Sequence, residues 1–320
     1  MPAAIGTVVA AALNALGFDA PGDGHLGASA RWTPITGGLS HQVVRLDAGG
    51  RRFVLRVLDD SVSRAGLGIP LDQEIANTVL AAKTGVGPRV LHVLAEHDAL
   101  VLEFVDGATL SASEVPAHLA GIAAACRQLH AGEAFGNTFD VFDKLAELIA
   151  LCREHGLGLP GGYEPRLRQV AGIRAVLAAR PLPTVPCHND LLAENFIADG
   201  DRVRIVDYQL SGMNDPAFEL GDIAAEAQLP VAAVEELAGA YFGAALTPAL
   251  VARVRLFQLM SDVTWTLWFR VHHGLLPGKA AAGGNAASFD YAAEAEGKWA
   301  RALRVLTGSE LSGLLAVAGE

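Results

Sequence analysis

One stretch constrains this chain more than any other: His188-Asn189-Asp190-Leu191-Leu192-Ala193-Glu194-Asn195, followed by two short apolar runs. The runs, Asn195-Phe196-Ile197-Ala198 and Arg202-Val203-Arg204-Ile205-Val206, are strand-like and are joined by Asp199-Gly200-Asp201. An Asp-Gly pair between apolar runs is a strong short-range hairpin signal. Closing the hairpin brings Asn195 and Asp207 to the same end, where one divalent ion could bridge them. Hard oxygen ligands beside phosphate suit magnesium better than zinc. Taken alone, the octapeptide also fits a turn whose Asn and Asp side chains cap backbone amides. Random placement of Asp and Asn would rarely add the second Asp at the end of the hairpin.

An H-x-D-x-x-x-x-N loop followed by a strand ending in Asp has the spacing used for phosphoryl transfer from a nucleotide. That reaction needs a group to take the nucleophile's proton and oxygen ligands that hold magnesium on the phosphates. The run continues as Val206-Asp207-Tyr208-Gln209-Leu210-Ser211-Gly212-Met213-Asn214-Asp215-Pro216-Ala217-Phe218-Glu219-Leu220-Gly221-Asp222, which resembles bacterial choline/ethanolamine kinases. These belong to the wider aminoglycoside-phosphotransferase group with its protein-kinase-like fold. The resemblance extends from about Thr36 to about His272. It implies a bilobal α+β fold: a sheet-rich, nucleotide-binding N-lobe over 1–105 and a mainly helical C-lobe over 106–320, carrying the catalytic loop and the substrate pocket. It further implies Asp190 as catalytic base, Asn195 and Asp207 as Mg2+ ligands, and ATP as co-substrate.

Earlier in the chain, Trp32 to Leu46 reads as strand, loop, strand with Thr36-Gly37-Gly38-Leu39-Ser40-His41 in the middle. Glycines let backbone amides approach phosphate oxygens closely. In position this matches the family's phosphate loop, which implies Gly37, Gly38 and Ser40 as nucleotide contacts. His41 stands where the family commonly has Asn. By the residues alone, a Gly-Gly pair is also an ordinary hairpin turn. On the strand Arg51 to Leu58, Arg56 is a lone cation among apolar neighbours, where protein kinases carry a Lys on the α- and β-phosphates. Choline kinases resemble this chain in placing Arg there, and a planar guanidinium suits phosphate. A snorkelling edge-strand Arg would look the same. The following amphipathic helix, Leu71 to about Gly85, offers Glu74 as the carboxylate that orients Arg56, with Asp72 as competitor. Ala99 to Gly107 reads as a strand running into an inter-lobe linker. By the resemblance, the main chain of Glu103 and Val105 holds adenine there.

Pro116 to Leu129 and Val141 to Glu154 are periodic helical segments. His130 and His188 read as structural braces. Asp215-Pro216 and Thr247-Pro248 read as N-cap and N1 pairs that start helices. The first helix carries Asp222 and Glu226 four residues apart, hence on one face, where a carboxylate could neutralise a substrate amine. The second carries Trp265 and Trp268, three apart. Choline kinases have a similar late W-x-x-W pair against the quaternary ammonium, and a desolvated cation–π contact contributes about 2 kcal/mol. An aromatic core stripe gives the same pattern. Gln209 and Leu210 stand where choline kinases usually carry Glu and Tyr.

A chain of 320 residues can bury a substantial core. A net charge of -11 and a pI near 5.4 speak against nucleic acid as the main partner and are compatible with a cationic small alcohol. The three cysteines, Cys126, Cys152 and Cys187, are widely spaced and read as buried thiols of a reducing cytoplasm. No signal peptide or membrane span is apparent. The sequence therefore predicts an ATP- and magnesium-dependent transfer of the γ-phosphate to the hydroxyl of a small amino alcohol such as choline or ethanolamine. Glu226, Trp265 and Trp268 are its candidate substrate contacts. The alternatives are a thiamine kinase, an aminoglycoside phosphotransferase, or a nucleotide-binding pseudokinase.

Overall fold

In the computed structural model, residues 5–18, 30–35, 41–276 and 289–320 are described. The expected glycine-rich contacts Gly37, Gly38 and Ser40 lie outside them, as does the Ala/Gly-rich stretch 278–288.

The N-terminal part alternates apolar and polar residues and forms one antiparallel sheet. Its strands are β1 (Ala30–Pro34), β2 (Gln42–Ala48), β3 (Arg51–Val57), β4 (Val90–Leu94) and β5 (Ala99–Glu103), in spatial order β1-β2-β3-β5-β4. Strand β3 is central, pairing Arg56 with Val43 on one side and with Leu100 on the other. Phe53 and Leu55 point into a small core built with β2, β5 and helix α1 (Ile5–Ala15), whose Val8, Val9, Ala12 and Leu13 are buried. Arg56 alternates to the opposite face, as the period-two geometry of a strand requires.

A short helix α2 (Asp60–Arg64) leads to α3 (Leu71–Thr84), which ends at Gly85 with φ +78°. Helix α3 is tied to the rest of the molecule by buried Asn77, whose amide donates to Asn137 Oδ1 and to the Ser211 hydroxyl.

A second, larger core fills the helical remainder. Its helices are α4 (Leu119–His130), α5 (Val141–Glu154), α6 (Tyr163–Ala179), α7 (Pro216–Glu226), α8 (Val231–Phe242), α9 (Pro248–Leu275), α10 (Tyr291–Thr307) and α11 (Glu310–Ala318). The segment expected to run helically from Pro116 begins instead as a 3-10 turn, Val115–Ala117, before α4. Val62, Leu67 and Ala81 from the α2–α3 region also belong to this larger core. No helix among the described residues is long and apolar enough to cross a membrane.

Both proline-led starts are present: Asp215 caps α7 through Ala217 N and Thr247 caps α9 through Leu250 N. Buried Arg253 of α9 donates to Asp215 Oδ2 at 2.8 Å and so ties α9 to the start of α7. The two helices cross tightly at Gly221, where an added Cβ would lie 2.6 Å from Gln258 N and 2.7 Å from Val254 O. Only glycine fits there. The small strands β6 (Ala108–Thr109), β7 (Val185–Cys187), β8 (Phe196–Asp199), β9 (Arg202–Ile205) and β10 (Gly212–Asn214) line the junction between the N-terminal sheet and the helices.

Candidate active site

The hairpin forms with Asp199 opposite Arg202, so its turn is Gly200-Asp201, and Gly200 supplies φ +60°. Asp199 belongs to the strand rather than the turn. Pairing brings Asn195 beside Val206, whose N–H donates to Asn195 O at 3.0 Å. Asp207 follows with φ +73°, and Asn189 on the preceding loop has φ +68°. Left-handed backbone at non-glycine residues costs about 1–3 kcal/mol and persists only where surroundings enforce it.

The enforcement comes from helix α7. Glu219, fully buried, accepts from His188 N and Asn189 N, both at 2.7 Å. One turn on, Asp222, also fully buried, accepts from Leu191 N at 2.9 Å. Two carboxylates on one helix face therefore hold the backbone on both sides of Asp190. Burial would raise the Glu219 pKa, but His130 and the His188 N–H more than compensate and leave it below the usual range. Asp222 is pushed up to about 7, by burial first and then by Glu226, although it also accepts from Ser261 Oγ and Trp265 Nε1.

His188 accepts from Asp190 N through Nδ1 and donates through Nε2 to Val206 O at 2.9 Å. Both ring nitrogens are thus committed to backbone, and burial lowers its pKa. It braces the loop against the hairpin. His130 braces in turn, bonded to Tyr241 and to Glu219. Cys187 lies beside them, with its thiol pKa pushed well up by burial. The ligand atoms of His130, Cys187 and Glu219 lie within 4.8 Å of one another, but this soft, buried set is committed to holding the loop.

Asp190, Asn195 and Asp207 all line one cavity of about 320 Å3. Asn195 donates its amide N–H to Asp190 O at 2.8 Å, which leaves Oδ1 for another partner. The Asp190 carboxyl is held well above the ordinary range by burial, and further by Asp222, Glu226 and Asp207. Burial acts the same way on Asp207, but Arg56 and then His41 outweigh it, so Asp207 is ionised.

Buried Arg56 reaches across from β3, donating through Nη2 to Glu74 Oε1 at 2.9 Å and to Asp207 Oδ1. Its Nε is buried without a hydrogen-bond partner. Glu74 is buried on α3, whereas Asp72 faces solvent. His41 is turned to the same cluster: Nδ1 accepts from Asp59 N and Nε2 donates to Glu74 Oε2 at 3.1 Å. Glu103 gives its N–H to Arg89 O and its carboxylate to Arg89 and Arg204. Val105 follows in the connecting segment, half-buried.

Trp265, Trp268, Phe269 and Glu226 form a second wall of the same cavity. Both indole N–H groups are committed, Trp265 to Asp222 Oδ1 at 2.7 Å and Trp268 to Leu67 O at 2.8 Å, so only ring surface remains for a ligand. Glu226 is not a free carboxylate. Lys298 of α10, fully buried, donates to it at 2.6 Å and lies 5.7 Å from the Phe269 ring centre. Helix α10 also brings Glu294 to the wall, and Phe289 just before it lines the cavity too. Sequence reasoning missed Lys298, Glu294 and the anchoring roles of Glu219 and Asp222. The last two had a signal, since i, i+3 carboxylates beside Gly221 share a helix face. Lys298 had none.

Residues 31–257 match the phosphotransferase enzyme family. A crystal structure of a choline/ethanolamine kinase family protein from Mesorhizobium loti has a TM-score of 0.77 and 33 % sequence identity, covering 90 % of this chain and 92 % of that one. Protein LicA of Haemophilus influenzae is 26 % identical over 252 residues, which is 74 % of this chain and 73 % of LicA. A crystal structure of LicA in complex with AMP shares the fold, with a TM-score of 0.70 at 18 % identity over 96 % of this chain and 98 % of that one.

Proposed function

The chain belongs to the phosphotransferase enzyme family, and from that premise we propose that it transfers the γ-phosphate of ATP to the hydroxyl of a small amino alcohol such as choline or ethanolamine. One observation carries the reading. Asp190, Asn195 and Asp207 line the same cavity as Trp265, Trp268 and Phe269, so a base and hard oxygen ligands share one cavity with aromatic side chains suited to a cation.

In this reading Asp190 accepts or orients the proton of the acceptor hydroxyl, and its elevated pKa brings its basicity closer to that task. Glu219 and Asp222 hold the loop so that the carboxylate keeps its aim. Ionised Asp207 and the free Oδ1 of Asn195 form a donor set that fits Mg2+, which supplies charge neutralisation on the transferring phosphate when bound. The partnerless Nε of buried Arg56 fits a phosphate oxygen, and Glu74 with His41 keeps that side chain in place. In the same reading Gly37, Gly38 and Ser40, which lie outside the described residues, are proposed as further phosphate contacts, and the main chain at Glu103 and Val105 as the adenine contact. The lobes divide near residue 105: 1–105 takes the nucleotide and 106–320 the acceptor.

The test is nucleotide consumption with and without Mg2+, using choline, ethanolamine, thiamine and an aminoglycoside side by side. Stimulation by the amino alcohols is the expected result. Stimulation by thiamine alone, or by the aminoglycoside alone, overturns the acceptor class and leaves the phosphoryl chemistry standing. Nucleotide binding without transfer to any alcohol overturns the enzyme reading.

A further inference from the structure

One polar side chain of the cavity has no part in the reading above. Gln209 is buried, 8 % exposed, and lines the cavity beside Asp190. Its backbone carbonyl accepts from Ile69 N at 3.1 Å, so the residue is fixed from behind. Its side-chain amide lies close enough to the Asp190 carboxyl to act against the effect of burial there, which puts Nε2, the donor end, towards Asp190. The other end of the amide, Oε1, is buried and has no hydrogen-bond partner. A buried acceptor left unpaired is costly in free energy, and a ligand that brings a donor to it recovers that cost.

Of the polar groups on the acceptor wall, Glu294 is the more exposed and lies 3.9 Å from both Lys298 and Arg301. The indole N–H groups of Trp265 and Trp268 and the carboxylate of Glu226 each have an internal partner. Ring faces attract any cation alike, whether or not it carries hydrogen on nitrogen. Oε1 of Gln209 does not: it distinguishes an ammonium with an N–H from one without.

We propose that Gln209 is the specificity-determining residue for the acceptor, its carbonyl oxygen taking a hydrogen bond from an N–H on the cationic nitrogen, so that protonated primary, secondary and tertiary amino alcohols are favoured over quaternary ones. The inference rests on the amino-alcohol reading above and narrows it. Its signature is a step rather than a slope. Along ethanolamine, N-methylethanolamine, N,N-dimethylethanolamine and choline, apolar contact with the rings grows steadily, while the last N–H is lost only at choline. Selection by size or ring contact gives a gradual trend. Selection by Gln209 gives a break between the third and fourth compounds.

The experiment is kcat/KM for the four acceptors with saturating MgATP, on the wild-type chain and on Gln209→Met. In the wild type the break is expected to be about ten- to a hundredfold, the equivalent of leaving one buried acceptor unpaired. Gln209→Met keeps the length of the side chain and removes the acceptor, so the ratio of dimethylethanolamine to choline is expected to fall towards one. The absolute rate of the variant is expected to fall with every acceptor, because the substitution also removes the amide beside Asp190, and the ratio is therefore the readout. Gln209→Leu repeats the measurement should the methionine variant fold poorly. A smooth series, a preference for choline, or a ratio unchanged in both variants overturns the role of Gln209 while the kinase reading stands. If none of the four compounds is phosphorylated, the amino-alcohol reading falls and takes this inference with it.

Discussion

One part of the cavity lining comes from a single short stretch of chain, between Asp190 and Leu210, whereas another is assembled from α7, α9 and α10, with Glu226 and Lys298 meeting across 72 positions. On the first side nearly every polar atom serves the placement of Asp190. Glu219 and Asp222 hold its backbone neighbours, His188 bridges the loop to Val206, and Asn195 bonds its carbonyl. On the second side the indole N–H groups and Glu226 each have an internal partner, and aromatic surface is left together with the more exposed Glu294. The lesson is a division of labour: chemistry needs fixed oxygens, which a short hairpin can supply, while recognition needs a shaped wall, which takes distant helices.

The sharpest way to break this contrast is Asp190→Ala. If the loop side carries the chemistry, kcat falls by about 10² to 10⁴ with every acceptor, the usual range for a lost general base. Folding is not expected to suffer, because the Asp190 carboxylate is itself disfavoured by burial and by three neighbouring carboxylates. Turnover close to that of the wild type would remove Asp190 from the mechanism. Single-turnover phosphate transfer and a thermal melt read the two effects separately.

On the far wall the corresponding change is Lys298→Met. Removing one partner of a buried ion pair strands the other charge, here Glu226, which is mostly buried. The expected loss is about 3–5 kcal/mol of folding stability. Urea midpoints measure it. The double variant Lys298→Met with Glu226→Gln is expected to recover most of the loss, since a neutral amide has no charge left to strand. A single variant as stable as the wild type would show that Glu226 reaches water.

These two sides were not equally legible in the sequence. That Asp190, Asn195 and Asp207 meet at one cavity was readable because all three sit within one loop and one hairpin, whereas the α7 carboxylates that hold the loop were not. Arg56 was readable because strand alternation turns it away from the Phe53–Leu55 face. The starts of α7 and α9 were readable from Asp215-Pro216 and Thr247-Pro248. What could not be read was the state of Glu226. Its face on α7 was correct, but whether a carboxylate there meets a substrate or a lysine depends on where α10 packs, and no local pattern near Lys298 encodes that. The meaning of His41 was hidden for the same reason. Its partners Asp59 and Glu74 come from later elements that sheet and helix packing bring together.

Asp222 links the two sides, since it accepts from Leu191 on the loop and from Trp265 and Ser261 on the far wall. In Asp222→Asn one oxygen can still accept from the α9 donors, but the amide NH2 meets the Leu191 N–H donor against donor. The loop loses an anchor next to Asp190, and kcat is expected to fall by about tenfold to a hundredfold, as for a lost hydrogen bond to a charged group. Stability follows a different sign. In the wild type the Asp222 pKa is raised from the ordinary aspartate value to about 7. The folded state therefore binds this proton more tightly than the unfolded chain, and the group's contribution to stability grows as pH falls from about 7 towards about 4. It is lost again as pH rises through the folded value. The variant lacks that slope, so its stability deficit relative to the wild type is expected to be largest near pH 4 and smallest above pH 8. A deficit independent of pH would mean that Asp222 stays ionised throughout.

The smallest expected effect separates the two tryptophans. Both line the cavity, but Trp265 bonds Asp222 and so reaches the loop, while Trp268 bonds Leu67 O and reaches only the connection between α2 and α3. Replacing either by Phe removes one hydrogen bond to a buried acceptor and part of a ring, which costs about 1 kcal/mol for a bond to a carbonyl and somewhat more for one to a carboxylate. The kinetic consequences differ because the acceptors differ. Trp265→Phe relaxes Asp222 and is expected to lower kcat a few-fold with all acceptors. Trp268→Phe leaves the loop anchored, so it is expected to raise KM for the acceptor and leave kcat near its original value. Initial rates over a range of acceptor concentrations distinguish the two outcomes. Equal effects from both substitutions would erase the boundary between the side that does the chemistry and the side that recognises, because Trp268 would then be acting on Asp190 through a route other than Asp222.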